Sequence, residues 1–107
     1  QSVIFVSKSI GTYCAAKLAN EYHLNSNIYF TPLDFTLDFL NVGDLVYSGT
    51  KDQWANYTNI EHYCIYHLIE FHSIQDGNHS LETGNIQLDI ENLKTIMQRV
   101  ASYIHNL

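Results

Sequence analysis

Four consecutive apolar residues, Val3-Ile4-Phe5-Val6, run directly into Ser7-Lys8-Ser9-Ile10-Gly11 and then into an alanine-rich stretch. A near-continuous apolar run of this kind suits a strand covered on both faces, the situation inside a parallel sheet. Beyond it Tyr13, Ala16, Leu18, Ala19 and Tyr22 return at helical spacing, so the chain passes from strand to helix within a few residues. A strand that leads at once into a helix reaches its next partner by a crossover, which commits the chain to α/β architecture.

The remaining sequence repeats that alternation. The first strand is expected over Ser2–Val6 and the first helix over Ser9–Tyr22, ending before the turn Asn25-Ser26-Asn27. Ile28–Thr31 reads as a second strand, stopped by Pro32, which also biases Thr31 toward an extended conformation. Leu33–Asn41 is a connection with one helical turn, Asp44–Ser48 a third strand and Gln53–His62 a short helix. Ile65–Ile74, rich in Tyr, Ile and Phe, gives a fourth strand, and Gln75–Gly84 is a polar loop. From Leu88 an amphipathic helix closes the chain, its apolar face formed by Ile90, Leu93, Ile96, Met97, Val100 and Ile104. Right-handed crossovers then predict a parallel sheet with flanking helices, in one α/β domain over residues 1–107.

Charge and composition narrow the partners. Five Lys and Arg stand against eleven Asp and Glu, and the net charge of −6 is spread along the chain, a surface that repels phosphate backbones. No nucleic-acid partner is expected. No apolar stretch approaches the roughly 20 residues of a membrane span and no leader peptide stands at the start, so no membrane association is expected either. The two cysteines, Cys14 in the first helix and Cys64 in an apolar run, suit reduced core thiols and a cytoplasmic location. Six histidines could serve a metal, but no HxH, HExxH or CxxC spacing occurs, and neither a metal nor another cofactor is expected.

The chemistry concentrates in three places. Ser9 stands at the sharp turn from the first strand into its helix, where a serine hydroxyl is presented above the carboxyl edge of a sheet; Gly11 is read as letting the helix pass close to the strand. An ordinary helix N-cap is the competing use of Ser7 or Ser9. Asp52 follows the third strand and His79 the fourth, both in loops at the same edge of a parallel sheet, so the three side chains can converge in the chain order Ser, Asp, His. Asp44 and Asp76 rival Asp52 as the acid, while His67 and His72 fall inside the fourth strand and are read as packing or surface residues.

Taken together, the run Val3–Gly11, the loop Gly49-Thr50-Lys51-Asp52 and the loop Gly77-Asn78-His79-Ser80-Leu81 resemble the α/β-hydrolase superfamily, most closely its small dienelactone-hydrolase-like branch. The resemblance spans essentially the whole chain, from that family's nucleophile strand to its final helix, with Ser7 standing where the nucleophile motif usually has glycine. It implies hydrolysis of an ester or similar acyl bond in a small molecule through an acyl-enzyme, with Ser9 as nucleophile, His79 as base and Asp52 as the acid that orients the imidazole. It further implies an oxyanion-hole amide from Ile10 and an acyl pocket walled by Pro32, Leu33 and Trp54. Because the family places about four strands before the nucleophile, the resemblance also implies that these residues form the C-terminal half of such a fold. Val3–Val6 is then an exposed apolar edge, expected to pair with a partner chain or a second copy. A non-catalytic interaction domain is the alternative function on the same residues.

Overall fold

A computed structural model describes residues 1–107. Four strands, β1 (Val6–Lys8), β2 (Ile28–Phe30), β3 (Leu45–Gly49) and β4 (Glu70–Ile74), form one sheet in the order β1-β2-β3-β4, with every pair parallel. Three helices accompany them: α1 (Ile10–Glu21), α2 (Tyr57–Tyr66) and α3 (Ile86–His105), with a 3₁₀ segment at Asp34–Phe39. The protein is an α/β domain with helices flanking a parallel sheet. No helix is long and apolar enough to cross a membrane.

Strands that follow one another in sequence and in space, joined by crossovers of one hand, place all their connections on one face of the sheet. That face carries α1, the 3₁₀ segment and α2. Its core joins Ala16 of α1, Leu37 and Leu40, and Ile60 and Cys64 of α2 to Tyr29 and Val46 of the sheet. Alternation along the strands sends Ile28, Leu45, Tyr47 and Ile74 to the opposite face, where α3 meets them through Ile96 and Tyr103.

The C-terminal half of α3 is the anchored half. Arg99 donates two hydrogen bonds of 2.5 Å to the Glu70 carboxylate on β4, which holds that carboxyl down at about 2, and the Tyr103 hydroxyl donates to the Gly43 carbonyl at 2.5 Å. At the same end of the sheet the buried Asp44 accepts the amides of Asn27 at 3.0 Å and Asn41 at 2.6 Å, which ties the entries of β2 and β3 together.

Several sequence expectations need correction. The first strand is Val6–Lys8 rather than Ser2–Val6: only Phe5 of the upstream run joins the ladder, its carbonyl accepting from Ile28 at 2.9 Å. The second helix begins at Tyr57, not Gln53, because the Asn56 side chain caps it by accepting from the Asn59 amide at 3.2 Å. Ile65 and Tyr66 belong to that helix, which ends where Leu68 takes a positive φ of 58° and the Ile69 amide returns to the Cys64 carbonyl; only Glu70–Ile74 is strand. The last helix starts at Ile86 behind its own cap, Asn85. Thr31 is not extended before Pro32 but sits at φ 49°, with its amide carrying the ladder on to the Tyr47 carbonyl at 2.7 Å. Cys14 is exposed on α1, so Cys64 alone is a core thiol; burial pushes it up to about 12.

Candidate active site

Ser9 occupies the N-cap position of α1 without acting as a cap. Its side chain makes no capping hydrogen bond, and its backbone adopts φ 58° and ψ −130°, outside the conformations an L-residue takes freely. Such an outlier costs on the order of 1–3 kcal/mol and persists only where its surroundings hold it. They do so here from both sides: the Ser9 amide donates to the Phe30 carbonyl of β2 at 3.0 Å, and the Ser9 carbonyl accepts from the Thr12 amide at 2.9 Å and the Thr12 hydroxyl at 2.6 Å. Thr12 is in turn bonded to Thr36 of the 3₁₀ segment at 2.9 Å.

The strain turns the hydroxyl away from the helix and toward His79. Ser9 Oγ lies 2.6 Å from His79 Nε2, and His79 Nδ1 lies 2.8 Å from Asp52 Oδ2. In the tautomer whose Nδ1–H donates to the carboxylate, Nε2 is left to accept from the Ser9 hydroxyl. The Asp52 side chain is fully buried, and its second oxygen accepts the Trp54 amide at 2.7 Å. The acid is thus held at both oxygens and the imidazole at both nitrogens.

The loops that carry Asp52 and His79 are packed on each other where β3 ends. A Cβ at Gly49 would collide with the Gly77 carbonyl, so only glycine permits this approach. The same carbonyl accepts the Lys51 amide at 2.9 Å, one residue before the acid. A Cβ at Gly11, by contrast, would meet nothing within 4 Å, so the close-approach role expected of that glycine does not hold. The Ile10 amide follows the serine at the first position of α1, where no intrahelical acceptor exists and the positive end of the helix dipole points outward.

The rival residues lie elsewhere. Asp44 is engaged at the opposite end of the strands, where burial pushes its carboxyl up to about 7. Asp76 pairs with Lys51 at 3.3 Å on the surface. His72 bonds Glu70 at 2.7 Å, and His67 stacks on Tyr63 at 3.9 Å between ring centres. No three His, Cys, Asp or Glu side chains cluster in a way that could hold a metal ion.

A cavity of about 470 Å³ opens beside the serine, lined by Ser9, Leu33, Phe35, Trp54 and His79. Leu33 and Trp54 stand where a pocket wall was expected. Pro32 does not line it, because its side chain is fully buried. Phe35 was missed: it lies on the 3₁₀ segment, where no motif marks it, and the signal available was an aromatic residue two positions after Leu33. No protein-family model matches the chain, and no curated protein matches it.

Proposed function

We propose that this chain is a serine hydrolase of the α/β-hydrolase type, similar to the dienelactone-hydrolase-like branch, that cleaves an ester or similar acyl bond of a small molecule. One observation carries the reading: a serine in a disallowed backbone conformation gives up a helix-capping bond and instead completes a continuous hydrogen-bonded relay to a buried carboxylate. A structural serine gains nothing from that arrangement.

In this reading Ser9 Oγ attacks the scissile carbonyl carbon while its proton passes to His79 Nε2, and the carbonyl π electrons move to the oxygen, which the Ile10 amide receives. Collapse of the tetrahedral intermediate breaks the bond to the leaving alcohol, which takes the proton back from His79. Water then repeats the sequence on the acyl-enzyme, releasing the acid and restoring Ser9. Asp52 keeps Nδ1 protonated and stabilises the imidazolium in both halves. The chemistry needs no cofactor. The proposal extends to a cytoplasmic setting, supported by two cysteines that stay unpaired.

A fluorophosphonate probe with mass-spectrometric mapping tests it. Labelling at Ser9 that Ser9→Ala and His79→Ala both abolish is the expected result, with ester turnover falling on the order of 10⁴- to 10⁶-fold in either variant. A folded wild-type chain that takes no label would sink the catalytic reading.

A second reading, a hydrolase-like interaction domain, is favoured by the edge of β1. The bonds of Phe5 and Ser9 to β2 leave the main-chain groups of Val6 and Lys8 directed outward, and the Val6 side chain is 57% exposed. We propose that this edge pairs with a partner chain or a second copy. Light scattering at micromolar concentration that finds a monodisperse monomer excludes the second copy.

A further inference from the structure

The cavity beside Ser9 is built for a group of particular chemistry. Trp54 is 73% and Phe35 51% exposed, so two large apolar residues that line the cavity with the nucleophile are left largely in water. Phe35 meets the Tyr13 ring edge-on at 5.0 Å and 83°, and Tyr13 is braced in turn by Phe39 at 5.7 Å. The Trp54 main chain is held through its amide to Asp52, and its ring stands at 63° to the imidazole of His79 with centres 6.5 Å apart.

No free cation faces the same space. Apart from His79 and the acid behind it, no ionisable side chain lines the cavity. The two nearby cations are engaged elsewhere: Lys8 Nζ donates to the His79 carbonyl at 3.3 Å, and Lys51 pairs with Asp76. Asp34, between Leu33 and Phe35 in sequence, has its carboxylate occupied by the Asn56 amide at 2.8 Å and the Asn59 side chain at 3.2 Å. An anionic substituent would lose part of its hydration against two aromatic faces with no free cation to replace it, and a chain of net charge −6 disfavours it further.

We propose that the substrate carries a neutral apolar group, aromatic or short aliphatic, beside its scissile carbonyl, seated between Trp54 and Phe35. The inference rests on the hydrolase reading for the reaction but has its own readout for the pocket, because Trp54 is the sole tryptophan. Phenyl acetate, phenyl butyrate and phenyl hemisuccinate separate chain length from charge with one leaving group. Butyrate should exceed hemisuccinate in kcat/KM by about tenfold or more, the scale of a small apolar group in a fitted pocket. Trp54→Ala and Phe35→Ala should each lower the butyrate-to-acetate ratio through KM, and Phe35→Leu should restore most of it. In a Ser9→Ala background, where the hydrolase reading leaves turnover negligible, phenyl butyrate should change Trp54 fluorescence and hemisuccinate should not. Equal turnover of butyrate and hemisuccinate, or a butyrate-to-acetate ratio unmoved in both alanine variants, overturns the inference. Acetate turnover that is the same with and without Ser9 sinks the hydrolase reading instead, and a fluorescence response selective for butyrate would then still uphold the pocket.

Discussion

The two faces of the sheet are finished to different degrees. On one, α1, the 3₁₀ segment and α2 close over Tyr29 and Val46 and leave Ala16, Ala19, Ile60 and Cys64 fully buried. On the other, α3 is the longest helix of the chain, yet it buries only Ile96 and Tyr103, while Ile86, Ile90 and Leu93 in its N-terminal half and Met97 just beyond are exposed. The open strip continues onto β1 through a groove that Lys8 and Phe30 share with those residues. The Ser9–His79–Asp52 relay draws on the closed face through two of its three members. Ser9 opens α1, Thr36 of the 3₁₀ segment supports the Thr12 that grips it, and Asp52 leads toward α2. Ser9 and Asp52 thus adjoin the packed side, and the less covered apolar surface lies on the other.

The largest effect that can test this division is at the acid. Asp52→Asn preserves shape but offers an amide where His79 Nδ1–H needs an acceptor, so the imidazole is held in the wrong tautomer. Ester turnover should fall about 10⁴-fold, worth roughly 5 kcal/mol in the transition state, with the unfolding midpoint close to wild type. A fall below tenfold would mean that the relay is structural.

Next comes the buried carboxyl at the other end of the strands. Desolvation raises Asp44 from 3.8 to about 7 against the amides of Asn41 and Asn27, with the hydroxyls of Tyr29 and Tyr103 nearby. Its folded-state value exceeds the unfolded one, so between about pH 4 and 7 the folded chain binds the extra proton. Stability is therefore full below that window and declines as pH rises through it, by an amount on the order of 4 kcal/mol. Denaturant titrations at pH 4 and pH 7 should show the decline in wild type and lose Asp44's share of it in Asp44→Asn. An identical pH dependence in the two would show that Asp44 is not protonated within the fold.

How far the sequence disclosed this arrangement depends on how local each signal was. The strand-to-helix turn at Ser9 was legible because apolar run, turn and alanine-rich helix are contiguous. Asp52 and His79 were legible because loops that follow parallel strands share one edge. The segment Ile65–Leu68 was misread because an apolar run that ends a helix looks like one that begins a strand, and the break at Leu68 uses a positive φ on a residue that does not advertise it. Phe35 belongs to the cavity only through tertiary placement of the 3₁₀ segment. The apolar face of α3 was read correctly as a pattern, but a pattern records that a face exists and not what covers it.

That last point gives the direct comparison of the two faces. Ile60 is wholly buried on the closed face, and Ile60→Ala should cost about 2–4 kcal/mol, since the lost methyl and methylene groups leave a void among neighbours already packed. Leu93 belongs to the same class of apolar helical residue and is 56% exposed on the open face, where truncation leaves no cavity. Leu93→Ala should shift stability by less than about 0.5 kcal/mol in a dilute monomer. The pair also detects association. If a second copy covers the α3 strip, the Leu93→Ala cost should grow with protein concentration while that of Ile60→Ala stays constant, because only the former lies at a surface whose burial depends on mass action. A Leu93→Ala cost that is small and flat across concentration would show that no second copy covers the strip.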